Sequence, residues 1–323
     1  MSAKSSFRDA LSEALISMGN EYDSMVVITP DLAKSIRIQE FKKIFPERFI
    51  SVGVSEADMI SVAAGMSTVG LVPVVAGFAM FAVEKPFEQI RNSIAYPCLN
   101  VKIIATHGGI CVGKDGATHQ AIEDIAIIRA LPNFSVITAS DGKQTKAAIK
   151  AALEYNGPVY LRLGRDEAEV IYEDDKEFII GKSDLLRAGD DVTIVACGVM
   201  VANALKAADK LSAEGINARV INMYSIKPLD EQAVIQSAKE TGAVVAVEDH
   251  SRIGGLGGAI AELLVRNNPV PVEQVAVEDT FCESGTQSEL FEKYGLGVDN
   301  IAAAARAVVE RKKLNGLCAC GRG

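Results

Sequence analysis

His107, Asp115 and His119 stand eight and four residues apart on one glycine-rich segment, Thr106-His107-Gly108-Gly109-Ile110-Cys111-Val112-Gly113-Lys114-Asp115-Gly116-Ala117-Thr118-His119-Gln120. Two of the three histidines in the chain are thereby gathered on one loop. An imidazole with an unperturbed pKa of about 6.5 donates or accepts a proton near neutral pH. A neighbouring carboxylate accepts hydrogen bonds from hydroxyl groups, and the loop glycines let a ligand approach the backbone closely. The bland alternative is a surface loop of turn glycines with a histidine near a helix start. A second candidate is Glu56 in Gly53-Val54-Ser55-Glu56-Ala57. Ser55 with Asp58 three residues later reads as a capping box, in which Glu56 favours the positive helix end.

These residues need a scaffold, and the pattern around them supplies one. Val101 to Ala105 reads as a buried parallel strand, and Ala121 to Leu131 has apolar residues at helical spacing. The loop therefore joins a strand's carboxyl end to a helix, the edge at which open α/β sheets bind ligands. Strand-like runs at Val26 to Thr29, Phe49 to Val52, Val72 to Ala76, Ser135 to Thr138 and Val159 to Leu163 alternate with helical patterns. A second series follows at Val192 to Ala196, Ala218 to Ile221, Ala243 to Val247 and Gln274 to Val277, with helices near Val199 to Glu214, Glu231 to Glu240 and Gly255 to Val265. The alternation predicts an α/β chain of two domains, each a mostly parallel sheet flanked by helices. We place the first at 1–170, an acidic linker at 171–186 around Glu173-Asp174-Asp175-Lys176-Glu177, and the second at 187–323.

Composition bounds the function. A net charge of −9 without a Lys/Arg cluster argues against a nucleic-acid surface. No stretch reaches about 18 uninterrupted apolar residues and the N-terminus lacks a secretory pattern, so no membrane association and a cytoplasmic location are expected. Cys98, Cys111, Cys197 and Cys282 read as reduced thiols, and Cys318 with Cys320 as a frayed tail pair with no histidine to complete a metal site. Gly254-Gly255-Leu256-Gly257-Gly258 lacks the third glycine of a dinucleotide fingerprint and an acidic ribose partner, which excludes that reading. His250 beside it reads as a polar strand-end residue.

In order, Gly53-Val54-Ser55-Glu56-Ala57, the loop from His107 to Gln120, and Arg129-Ala130-Leu131-Pro132-Asn133 with Asp141-Gly142 downstream resemble the C-terminal half of a transketolase. The resemblance is to the split form of the family, in which this half is a subunit of its own, and it covers essentially the whole chain. It implies a pyrimidine-binding fold followed by a transketolase C-terminal domain. It also implies a transferase that moves a two-carbon ketol unit from a ketose phosphate to an aldose phosphate, as in the pentose phosphate pathway. On that resemblance Glu56 hydrogen-bonds a ring nitrogen of the thiamine diphosphate aminopyrimidine, which activates the cofactor's thiazolium carbon. Phe78 and Phe81 match aromatics at the pyrimidine pocket, although either ring alone would serve a core. Asp31 matches a position near the thiazolium.

The same resemblance assigns His107, Asp115 and His119 to the sugars, with His119 nearest the reacting hydroxyl. It assigns Arg162, Arg8 and Ser35 to phosphate, with Arg165, three residues along, as the rival to Arg162. Gly108 and Ala117 depart from the aspartate and proline common in long-chain transketolases, and Lys114 adds a cation, so substrate choice stays open. Nothing here resembles the diphosphate-binding domain. The cofactor would therefore be shared with a transketolase partner subunit that carries this domain and binds Mg2+ or Ca2+, in an α2β2 assembly, with a homodimer as the alternative for the chain alone. The second domain would then serve assembly, not chemistry. Three rival readings remain: a 1-deoxyxylulose-5-phosphate synthase-like enzyme, a 2-oxo acid dehydrogenase E1 β-like subunit, and a non-catalytic structural or regulatory subunit.

Overall fold

Every residue of Met25–Thr29, Lys102–Thr106 and Val159–Arg162 is buried. That is the state expected of parallel strands covered by helices on both faces. The computed structural model describes residues 3–172 and 176–320, with side chains described through 314. The acidic centre of the expected linker, residues 173–175, lies outside the described residues.

The first sheet runs in the order Ser225–Lys227, Ser135–Thr138, Val159–Arg162, Lys102–Thr106, Val72–Phe78, Met25–Thr29, Phe49–Ser51. The six strands from the N-terminal part are parallel, so their carboxyl ends share one edge. Its two faces are closed by separate apolar clusters, one around Ile103, Ile125 and Tyr160, the other around Leu11, Phe41 and Ile104. The second sheet runs Val272–Val277, Val244–Ser251, Val192–Ala196, Ala218–Asn222, Asp184–Arg187, with only the last strand antiparallel. Two mostly parallel sheets flanked by helices are thus present, as the alternation predicts.

The departures have physical reasons. Ser225–Lys227 comes from the second part of the chain yet pairs antiparallel with Ser135–Thr138, which welds the two units together. The strand Asp184–Arg187 begins within the segment read as linker and runs into the second unit, and Lys4–Ser6 pairs with Glu167–Glu169 in a separate two-stranded ribbon. Strands of three or four residues are too short to show a period. Val244–Ser251 overshoots its expected end by four residues, and Asp249, His250 and Ser251 bond backbone groups of the first unit at Ile110, Ala126 and Ile122. The helix Val298–Cys320 covers the second sheet with Ile301, Ala302 and Ala305. Its last turn carries Cys318 and Cys320, where a frayed tail was expected, and their side chains lie outside the described residues. Among the described residues no helix is long and apolar enough to cross a membrane.

The glycine-rich Gly254–Gly258 stretch is closed to a dinucleotide by the protein itself. Glu248 accepts hydrogen bonds from the amides of Leu256 (2.7 Å) and Gly257 (2.8 Å) at the start of helix Leu256–Asn267. A carboxylate therefore sits where a pyrophosphate would be held.

Candidate active site

Because five parallel strands end on one edge, their following residues converge there: Asp31 after Met25–Thr29, Glu56 after Phe49–Ser51, Phe78 and Phe81 at the end of Val72–Phe78, His107 after Lys102–Thr106, and Arg165 after Val159–Arg162. Phe78 is in register with Thr106 on the neighbouring strand, so its ring meets His107 at 3.8 Å between centroids. Phe81 lies 6.2 Å from Phe78 and meets His119 edge-on at 5.1 Å. The four rings form one continuous wall, His107–Phe78–Phe81–His119. The structure thus brings together the two histidines and the two phenylalanines singled out in the sequence.

His107 adopts a left-handed backbone (φ 62°) and is only 2% exposed. Its Nδ1 is 2.8 Å from Thr106 Oγ1. Burial, with Arg165 and Arg8 adding, pushes its pKa down to about 3, so the ring is neutral at physiological pH. Since the folded value lies below the ordinary 6.5, the unfolded chain takes up this proton first. The stability that this ring contributes is therefore whole above about pH 6.5 and is lost as pH falls toward 3. We expect the group to remove about 2 kcal/mol between pH 7 and pH 5. His107→Gln should flatten that slope in urea unfolding at the two pH values, and an unchanged slope would refute the buried neutral ring. His119, part-exposed, has Nδ1 3.0 Å from Thr118 Oγ1.

Glu56 opens helix Glu56–Thr68 and is 4% exposed. The expected capping box is absent: the Ser55 side chain makes no cap bond, and the Ser55 amide bonds the Gly53 carbonyl at 2.8 Å. With Ser55 (φ −145°, ψ 80°) turned into that tight bend, its hydroxyl does not reach the first-turn amides. Glu56 instead accepts from Lys85 Nζ at 2.5 Å, and Lys85 is half-exposed. Lys85 escaped the sequence reading, as did Glu84 beside it. Burial, then Glu123 and Asp124, push the Glu84 carboxyl up to about 8. Both belong to a π-helical turn, Met80–Glu84 and its C-cap, whose wider spacing no helical period signals.

The assignment of Arg162 to phosphate is corrected. Its Nε bonds Asp124 at 2.7 Å, its Nη2 bonds the Asp249 and Ala121 carbonyls at 2.7 and 3.2 Å, and it is 6% exposed. Burial opposes the charge, but Asp124 and Asp249 more than reverse that and hold its pKa above the ordinary value. This guanidinium is an internal strut. Arg165 instead reaches the loop, bonding the Val112 carbonyl, with Nη1 3.4 Å from Asp115 and Nε 3.9 Å from Asp166. Arg8 meets the same carboxylate oxygen, 3.2 Å from Asp166 Oδ1, and bonds the Ser35 carbonyl at 3.2 Å. Burial, then Arg37, hold Arg8 below its ordinary value. The Nε atoms of Arg8 and Arg165 are buried without a hydrogen-bond partner. Ser35 and Asp31 are exposed on the same edge, Asp31 with φ 62°.

Residues 3–170 match the transketolase pyrimidine binding domain, and residues 181–301 match the transketolase C-terminal domain. The chain is 46% identical to a protein of Methanocaldococcus jannaschii named as a transketolase C-terminal section, over 95% of this chain and 96% of that one. It is 44% identical to the 6-deoxy-6-sulfo-D-fructose transketolase subunit SqwH of Clostridium sp. (94% and 95% covered). It is 37% identical to one of the subunits of the apulose-4-phosphate transketolase of Phocaeicola vulgatus (94% and 97% covered). Among solved structures it is similar to a split-gene transketolase described as an inactive β4 tetramer, with a TM-score of 0.88 at 48% identity, over 95% of this chain and 99% of that chain. Both domains of the fold therefore agree with these matches, and the chain belongs to the transketolase family.

Proposed function

We propose that this chain is one half of a two-subunit transketolase, and that it moves a two-carbon ketol unit between sugars carrying a terminal oxyanion. The observation that carries the reading is the wall His107–Phe78–Phe81–His119 flanked by buried Glu56 on one side and by Arg8 and Arg165 on the other. Thiamine diphosphate, held between this chain and a partner subunit that supplies its diphosphate and Mg2+ or Ca2+ ligands, would provide the carbon nucleophile. The residues fit an aminopyrimidine. Glu56 is a buried carboxylate bonded to the ammonium of a half-exposed lysine, which can swing away, and Phe78 and Phe81 offer flat apolar faces.

Glu56 would hold the pyrimidine ring nitrogen. His119 would exchange a proton with the sugar hydroxyl that reacts, and neutral His107 would orient the neighbouring oxygen through its Nε2. Asp115 would accept from a sugar hydroxyl. The guanidinium groups of Arg8 and Arg165, which now meet Asp166, would take a phosphate or sulfonate in its place. Relatives named for a sulfonated ketose and for apulose 4-phosphate support the oxyanion class over any one sugar. A relative whose β4 tetramer is inactive supports the need for a second subunit, for which we infer an α2β2 assembly. Ketol transfer from xylulose 5-phosphate to ribose 5-phosphate, assayed with thiamine diphosphate and magnesium, is expected only when the diphosphate-binding subunit is mixed with this chain. A formed complex that binds cofactor yet transfers no ketol unit to any phosphorylated or sulfonated acceptor would overturn the reading.

A further inference from the structure

The second domain does more than join subunits, because the loop carrying His107, Asp115 and His119 is built into it. Ile110, Cys111 and Ile122 belong to the second unit's apolar core, together with Val247, Cys282 and Leu290. Asp249, at the overshooting end of Val244–Ser251, is 2% exposed and accepts from two successive loop amides, Ile110 (2.9 Å) and Cys111 (3.3 Å). These amides open the short turn Ile110–Asp115 and have no partner within it, so the carboxylate caps that turn from another domain. Gly109 marks how close the two approach. It has φ 74°, and a Cβ there would collide with Asp249 Oδ2. At the other end of the loop a Cβ on Gly116 would lie 2.6 Å from Ser284 Oγ, and Gln120 Nε2 bonds the Glu283 carbonyl at 3.1 Å. The Asp249 carbonyl is itself held by Arg162 at 2.7 Å, which ties the cap to the first sheet.

We infer that Asp249 is a positioning residue for substrate: it pins the start of the sugar-binding loop, and through it sets where Asp115 and His119 stand. The inference rests on the ketol-transfer reading for the word substrate, but the pin itself does not. Asp249 is buried behind the loop and acts through its amides. Asp249→Asn preserves shape while turning one acceptor into a donor that faces an amide N–H, so the loop should loosen without a cavity.

Two measurements test it. In the full wild-type chain, hydrogen exchange at the Ile110 and Cys111 amides should be at least about tenfold slower than at the exposed loop residues Lys114 and Asp115, and in Asp249→Asn that protection should be lost while the two sheets keep theirs. In the assembled two-subunit enzyme the variant should raise KM for both sugars about tenfold or more and leave the half-saturating thiamine diphosphate concentration unchanged. Fast exchange at both amides in the wild type overturns the pin, and this holds even if the variant fails to fold. So does a variant whose loop amides exchange freely while KM for both sugars is unchanged, which is the mark of a purely structural contact. Loss of loop protection in a system where even the wild type transfers no ketol unit leaves the pin standing and overturns the functional reading instead.

Discussion

Glu56→Gln in the assembled two-subunit enzyme is expected to lower kcat for ketol transfer by about 100-fold or more while assembly stays intact. A positioned acid or base acting on a reacting system is worth about 10²–10⁴ in rate, and an amide of the same shape cannot exchange the proton. The structural cost is small by comparison. Glu56 is buried at the first turn of its helix, but its ion-pair partner Lys85 is half-exposed and can return to water. A carboxylate at a helix N-terminus is worth only about 1 kcal/mol. Activity at saturating cofactor, compared with light scattering for assembly, separates the two roles. A variant within about fivefold of wild type would reduce Glu56 to a helix-end residue with a lysine partner.

The sheet edge was legible because strands in this chain are continuous apolar runs. Val101 to Ala105 and Val159 to Leu163 lie within a residue of the observed Lys102–Thr106 and Val159–Arg162. Spacing on a single loop also carried His107, Asp115 and His119, whereas Phe78 rested on the family resemblance alone. What the pattern could not carry is which polar side chain at that edge faces inward. In a strand exposed on one face, alternation would separate Arg162 from Arg165, but here both faces of the sheet are covered and no polar face exists for comparison. Asp249 was hidden for a related reason. Its strand leaves regular pairing between Val247 and Ser251, and a residue whose partners lie in another domain leaves no local period. The faint signal was chemical: three polar residues, Glu248, Asp249 and His250, directly continue a buried apolar run. Each proves to hold backbone amides, at Leu256, Ile110 and Ala126 respectively.

The two arginines at the end of Val159–Arg162 should therefore fail in opposite ways when changed. Arg162→Met leaves the Asp124 carboxylate, 0% exposed, without its cation and frees two carbonyls, so unfolding free energy is expected to fall by about 3–5 kcal/mol. Tyr160, whose hydroxyl donates to the same carboxylate at 2.5 Å, cannot supply the missing charge. Arg165→Met touches a part-exposed group whose ion pairs with Asp115 and Asp166 are loose, at 3.4 and 3.9 Å, so stability should change by less than about 1 kcal/mol. Its cost should appear in binding. One lost charge-assisted contact to a phosphate is worth about 1.5–3 kcal/mol, or about a 10- to 100-fold rise in KM for a sugar phosphate. A sugar lacking the phosphate should bind both forms equally, which excludes a general distortion of the loop. Urea unfolding of the two variants, with KM for phosphorylated and unphosphorylated acceptors, reads both effects. A stable Arg162→Met with a raised KM confined to phosphorylated sugars would reverse the assignment, because only a guanidinium free to meet the oxyanion can lose binding without losing the fold.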